Sequence, residues 1–294
     1  MNYYNEIKTE LINNEITRRV KEYSKNRSNL NTYYNVGKLL SEAGKHYGEG
    51  IIKEYSKRLT NELGKGYSIS NLKNMRNFYV FFSKSQTMSG QLTWSHYIEL
   101  LKLVDKEKIN YYIKIIEEEN LSVRELRQRI KNNEYGRLDE ETKKKLKTKE
   151  QLKVSDLVKN PLQIRNTSGN NEISEKVLQK LILEDIPSFL KELGNGFSFI
   201  DSEYKIKIGD RYNYIDLLLY NIKYKCYVVV ELKVTELNSN HTGQIQKYMN
   251  YIDKNIKSID DNKTVGIIIC KKENKYVIEY CSDDRIIARE YELV

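Results

Sequence analysis

Apolar positions in the first half of the chain recur at helical spacing. Ile7, Leu11, Ile16 and Val20 predict an opening helix, and residues 31–43 a second that Gly44 closes. Ile51, Ile52, Tyr55 and Leu59 mark a third helix over 51–63, stopped by Gly64-Lys65-Gly66. Ser68 is an N-cap for a fourth over 69–82. After a Ser/Thr/Gly-rich loop a helix opens at Trp94, and two more cover 105–118 and 122–132, the last with a Ser122…Glu125 capping box. Residues 133–153 are charge-dense around Lys143-Lys144-Lys145 and read as a linker or a solvated helical tether. The period then changes. A helix over 173–193, interrupted at Pro187, precedes strands at 197–207, 212–220 and 225–234. A helix over 243–254 and strands at 264–270 and 275–280 complete the pattern. The expected organisation is a helical domain (1–135), a charged linker (136–160) and an α/β domain with a mixed central sheet (161–294).

Composition narrows the class. No apolar run approaches the ~20 residues of a membrane span, and the polar start Met1-Asn2-Tyr3-Tyr4 is no signal peptide. Cys226, Cys270 and Cys281 lie in predicted strands at spacings that give no zinc signature, so buried reduced thiols and a cytoplasmic location are expected. Charge is uneven. Residues 1–150 hold 29 Lys+Arg against 20 Asp+Glu, whereas 151–294 hold 21 of each. All of the net +9 therefore lies in the first half, which points to a polyanion as its partner.

The helix, Gly-containing turn and helix across 51–82 match a helix-turn-helix. Its second helix would bury Leu72, Met75, Tyr79 and Phe82 and expose Asn71, Lys73, Asn74, Arg76 and Asn77. Asn and Arg suit adenine and guanine edges, and Lys suits phosphate. DNA contact through Asn71, Lys73, Asn74 and Arg76 is the expectation, with a scaffold or a protein partner as the alternative. No acidic residue occurs from Leu63 to Ile98, while Lys65, Lys73, Arg76 and Lys84 do. Trp94 and His96 read as core or capping residues.

The chemistry concentrates in two strands that are apolar on both faces, Tyr214-Ile215-Asp216-Leu217-Leu218-Leu219-Tyr220 and Val228-Val229-Val230-Glu231-Leu232-Lys233-Val234. Buried charges cost several kcal/mol unless partnered. Glu231 and Lys233, two apart, share a face with Tyr227 and Val229, and a short connection makes the two strands a hairpin that brings Asp216 beside Glu231. Two carboxylates so placed repel unless a cation separates them, and hard oxygen ligands favour Mg²⁺ or Mn²⁺. Asp216, Glu231 and the Leu232 carbonyl are the expected metal ligands, with Lys233 orienting or deprotonating a water. A buried Glu–Lys pair that fastens the sheet is the structural alternative, but it leaves Asp216 unexplained.

The pair Asp216…Glu231-Leu232-Lys233 resembles the core of the PD-(D/E)XK nuclease superfamily. With Tyr33-Tyr34-Asn35-Val36-Gly37-Lys38, Tyr47-Gly48-Glu49-Gly50, 70–79, Leu92-Thr93-Trp94-Ser95-His96, 189–197 and 243–251, the chain is similar to a bacterial two-part family. In that family a helical, winged-helix-like N-terminal domain precedes a PD-(D/E)XK nuclease domain of restriction-endonuclease-like α/β fold. The resemblance implies metal-dependent hydrolysis of DNA by an endonuclease, with Asp216, Glu231, Lys233 and Gln244 as the catalytic set and Tyr248 as a weaker candidate. Ile215 stands where the superfamily name has proline, which is not a ligand. A first-helix acidic group is also implied, and Glu175, Gln179 and Glu184 all remain open for that place. His241 reads as incidental. Genome defence, mobile-element or recombination work is the implied setting, and cutting both strands makes a homodimer an expectation. Competing readings are an inactive nuclease fold that binds DNA or a protein, and a nuclease directed at RNA.

Overall fold

The computed structural model describes residues 3–20, 25–48, 50–83, 89, 91–148, 150–167, 169 and 173–294, and side chains outside 15–28. The chain divides into two units, Met1–Asn132 and Asn133–Val294.

In the first unit, helix-period faces meet as the sequence demands. The helices are α1 (Tyr3–Val20), α2 (Lys25–Tyr47), α3 (Ile51–Leu63), α4 (Ile69–Phe82), α5 (Trp94–Leu100), α6 (Lys106–Glu119) and α7 (Val123–Lys131). Ile7, Leu11, Val36, Leu40, Ile52, Leu59, Leu72 and Met75 form one core; the side chains of Ile16 and Val20 fall outside the described residues. The expected caps are present. Ser68 accepts from the Asn71 amide, and Ser122 and Glu125 close a capping box. Two expectations are corrected. Helix α2 runs through Gly44 to Tyr47, because packing of Leu40 and Ala43 outweighs the roughly 1 kcal/mol that a helical glycine costs. In α4 it is Phe78 that is fully buried, while Tyr79 is half-buried against the Tyr34 ring. Among the described residues this unit contains no strand, so the wing of the expected winged helix is not among them. Lys84 lies outside the described residues.

Helices α2 and α4 cross at Gly37. A Cβ there would stand 2.1 Å from the Met75 carbonyl oxygen and 2.9 Å from the Tyr79 Cβ. The neighbours are backbone and a Cβ, which cannot swing aside.

The second unit begins with a 3-10 turn (Tyr135–Arg137), α8 (Glu140–Thr148), α9 (Val154–Leu157) and β1 (Leu162–Ile164). Then follow α10 (Glu175–Glu184), α11 (Ile186–Leu193), β2 (Phe197–Ile208), β3 (Arg211–Asn221) and β4 (Cys226–Glu236). The chain ends with α12 (Ser239–Asn255), β5 (Val265–Lys272), α13 (Lys275–Glu279) and β6 (Ile286–Leu293). The sheet order is β1-β6-β5-β4-β3-β2. Strands β1, β6, β5 and β4 run parallel to their neighbours, and β3 and β2 join antiparallel. Helices α10 and α11 cover one face, burying Leu178, Leu181, Phe189 and Leu193 against Val228, Val230 and Ile267. Helix α12 covers the other, with Ile245, Met249 and Ile252 on Leu218, Val229 and Ile268. This three-layer arrangement is the expected restriction-endonuclease-like α/β fold.

The stretch expected as a linker, 136–160, is folded within this unit by paired charges. Arg137 bonds Glu192, and Lys145 bonds Asp156 at 3.0 Å. Buried Lys159 donates to the carbonyls of Lys191 and Glu192 at 3.1 and 2.7 Å. Arg289 of β6 reaches the Val158 carbonyl at 3.0 Å and Asp139 at 2.8 Å. The stretch 275–280, expected as a strand, forms α13 and its C-cap Tyr280 instead, because Tyr276 and Tyr280 stay in solvent while Val277 and Ile278 touch the core.

Gly37→Ala is expected to destabilise the first unit by about 1–3 kcal/mol, the usual cost of overpacking. Denaturant unfolding of the full chain checks this; an unchanged midpoint would contradict the close crossing.

Candidate active site

Strand β3 pairs with β4 from Asn221↔Cys226 to Leu217↔Val230. Continued by one residue, that register sets Asp216 opposite Glu231. There the ladder gives way, and the Leu232 amide donates to Asp216 Oδ2 at 2.8 Å. The edge strand is irregular at the same level, with a register shift between Phe199 and Asp201 and a left-handed φ of 50° at Glu203. Ile215 belongs to the core under α12 and Leu217 to the core under α10, although they are two residues apart. The backbone thus rotates at Asp216, and its carboxylate leaves the sheet plane at the end where β3 and β4 part.

Helices from both faces reach this end. Gln244, in the first turns of α12, donates to Glu231 Oε2 at 3.0 Å and to the Tyr248 hydroxyl at 3.1 Å. From α10, Gln179 donates to the Asp216 carbonyl at 3.0 Å. Lys233 Nζ lies 3.5 Å from Glu231 Oε2 and 3.6 Å from Glu175 Oε2. The three open first-helix places therefore separate. Glu175 stands beside Lys233, Gln179 holds the backbone of Asp216, and Glu184 is turned to Thr167 and Lys180. His241 bonds the Asn238 amide in the α12 capping box, which accounts for it without chemistry.

The electrostatics are those of carboxylates taken out of water. Glu231 is 1% exposed, and burial together with the neighbouring Asp216 raises its pKa to about 8 despite Lys233. Burial also raises Asp216, against the Leu232 amide and Lys233. Burial alone would lower Lys233, but Glu231, Glu175 and Asp216 carry it above the ordinary lysine value. Glu231 Oε1 is buried with no hydrogen-bond partner. A naked carboxylate oxygen beside a second carboxylate fits a cation ligand. Among the described residues no three His, Cys, Asp or Glu side chains converge as a ligand set, so a hard ion here would complete its shell with the Leu232 carbonyl and water.

In the first unit the candidate DNA-contacting residues divide. Asn71 is engaged internally, its Nδ2 donating to the Gly66 carbonyl at 2.7 Å and its Oδ1 accepting from the Trp94 indole at 3.2 Å. It fastens α4 to the preceding turn and to Trp94. Lys73 and Asn77 are exposed, and Asn74 and Arg76 half-exposed. Trp94 packs on Tyr33 and Phe78, and His96 closes the α5 cap, as expected of core and capping residues.

Two family models match this chain. Residues 8–137 match the DUF1016 N-terminal domain and residues 155–294 the YhcG PDDEXK nuclease domain. The chain thus carries a DUF1016 N-terminal domain followed by a YhcG PDDEXK nuclease domain. It is similar to YhcG of Escherichia coli (strain K12), described as a candidate nuclease, at 25% identity over 309 residues. That match covers 89% of this chain and 82% of the relative. Solved structures with partial likeness include a repair endonuclease from Pyrococcus abyssi, at TM-score 0.30 and 19% identity over 43% of this chain and 49% of that one. A complex of EndoMS with double-stranded DNA gives the same TM-score and identity over 44% of this chain and 48% of that one. The chain spans about half the length of either.

The PDDEXK domain should carry its charged site as a pH-dependent cost. Glu231 ionises near the ordinary carboxylate value when unfolded and near 8 when folded, so the folded state holds its proton longer. Its contribution to stability is complete below the ordinary value and is lost as pH rises to about 8. In chelator, unfolding free energy is expected to fall over that window, by at most about 1.4 kcal/mol per pH unit for this group. Glu231→Gln should flatten the slope; a slope identical to the parent's would contradict the assignment.

Proposed function

We propose that this chain is a divalent-metal-dependent endonuclease acting on DNA, with the DUF1016 domain capturing the polyanion. The observation that carries the reading is the buried, unpartnered Glu231 Oε1 beside Asp216, within a PDDEXK domain. Asp216, Glu231 and the Leu232 carbonyl would hold Mg²⁺ or Mn²⁺, which when bound supplies Lewis-acid stabilisation of charge at the phosphate. Gln244 fixes Glu231 by occupying Oε2, and Tyr248 in turn accepts from Gln244, so Oε1 is left for the ion. Gln179 holds the Asp216 backbone where the ladder ends. Glu231, Glu175 and Asp216 hold Lys233 above the ordinary lysine value, which favours its ammonium form. It therefore orients a water and offsets developing negative charge, rather than removing a proton.

On incubation with plasmid, linear duplex, branched DNA and RNA, cleavage of DNA is expected with Mg²⁺ or Mn²⁺ and none with EDTA. Asp216→Ala and Lys233→Ala should each reduce the rate by about 100-fold or more, and Gln244→Ala by about 10–100-fold. Cleavage that survives Asp216→Ala or Lys233→Ala would sink the mechanism, and cleavage of RNA alone would redirect the substrate. In the DUF1016 domain, Lys73→Ala or Arg76→Ala should weaken DNA binding and lower the salt slope by about 1 each. An unchanged slope points instead to a protein partner for α4.

A further inference from the structure

Strands β2 and β3 stay paired as far as Ile208↔Arg211, well past the end of the β3–β4 ladder at Leu217. Beyond Asp216 they continue as a two-stranded ribbon, turned at Gly209 with φ 60° and Asp210. One face of the ribbon is core. Ile206 and Ile215 are buried under α12, with Tyr204 against them. The opposite face presents the cross-strand pairs Lys205↔Tyr214 and Lys207↔Tyr212. Both lysines are exposed, and the tyrosines are 52% and 57% exposed. The Lys205 ammonium lies 4.0 Å from the centre of the Tyr212 ring. Lysines on an edge ribbon can serve simply to block strand addition. That need does not account for the two tyrosine rings set out in water directly opposite them, each with apolar area to cover.

The same face leads to the charged site. Glu203, two residues before Lys205, lines a cleft of about 400 Å³ with Lys176, Gln179 and Lys180 of α10. Gln179 is the side chain that holds the Asp216 carbonyl. The cleft therefore adjoins both the base of the ribbon, through Glu203, and the Asp216 backbone, through Gln179. Acidic groups also face it: Glu203, Asp210 at the turn, and Glu184, which is 3.9 Å from Lys180. Across 204–214 the balance is three basic residues to one acidic, in a half of the chain whose charges sum to zero.

We infer that this ribbon face, extended by Lys176 and Lys180, grips the nucleic-acid strand next to the scissile phosphate. Lys205 and Lys207 take phosphates, and Tyr212 and Tyr214 pack on bases or sugars. The inference rests on the nuclease reading above but concerns binding, so the two can fail separately. A two-stranded ribbon fits a duplex major groove, and exposed rings fit an unpaired strand; both sources share the phosphodiester chemistry.

The test is fluorescence anisotropy of labelled duplex and single-stranded oligonucleotides with the full-length chain in EDTA, across a salt series. Lys205→Glu with Lys207→Glu should raise Kd at least about 10-fold and lower the salt slope by about 2. Tyr212→Ala with Tyr214→Ala should raise Kd while leaving the salt slope unchanged. Lys254→Glu with Lys263→Glu, an equal charge change at exposed positions on α12 and before β5, should have much the smaller effect. A larger loss on the single strand assigns the rings to unpaired bases, and a larger loss on the duplex assigns the ribbon to the groove. Circular dichroism and thermal unfolding exclude misfolding of the variants. Parent-like Kd and slope in the ribbon variants would overturn the inference even if DNA is cut. Equal losses in the Lys254/Lys263 control would overturn it too, by reducing it to net charge. If the parent binds but never cleaves, the nuclease reading fails and this surface stands; if the parent binds neither oligonucleotide, the surface fails.

Discussion

The second unit is organised around one costly act, the burial of the Glu231 carboxylate beside Asp216. Leaving a buried polar atom unpartnered costs about 1–3 kcal/mol, and more when it is charged. Glu231 Oε1 is such an atom. The strand that carries it offsets that cost. Val228, Val229, Val230 and Leu232 are all fully buried, and each such side chain contributes about 1.5–3 kcal/mol. A central strand this apolar on both faces can hold a misfit that a half-exposed strand could not. The surrounding irregularities share the same level: the bulged edge strand, the parting of β3 from β4, and the helices that supply Gln244 and Gln179.

The pair also explains why the lysine matters as a charge. Lys233 is more basic than usual because three carboxylates outweigh its own desolvation. Glu231 is less acidic than usual because one lysine cannot outweigh burial plus Asp216. The site is short of positive charge by itself. That deficit, more than any single contact, is what a cation would meet.

Elsewhere among the described residues of this unit, buried charged side chains have partners, and they build structure. Arg137 with Glu192, Lys145 with Asp156, and Arg289 with Asp139 and the Ser155 and Val158 carbonyls turn a polar stretch into a packed one. Such pairs add little net stability once desolvation is counted, but removing one partner is expensive, so they specify where the segment lies. The contrast with Glu231 is direct. Among the described residues of this unit, Glu231 Oε1 is the buried side-chain atom left without a hydrogen-bond partner.

Local chemistry wrote much of this in the sequence. The boundaries of α3, α4 and α7 follow from caps and glycines that act within four residues, and the alternation in β4 already set Glu231 and Lys233 on one side. The Asp216–Glu231 juxtaposition was legible too, because a short hairpin connection fixes register. What depended on distant segments was not. The folding of 136–160 needs Glu192 and Arg289, far along the chain; β1 is three residues long and exists only by pairing with β6. That Glu175 lies beside Lys233 while Gln179 meets the Asp216 backbone follows from how α10 packs on the sheet, and the bonds of Asn71 to Gly66 and Trp94 form only when those segments close on it. Spacing determines which residues can meet along one element. Which residues of different elements do meet is decided by packing, since the energy that selects them exists only once water has been excluded between them.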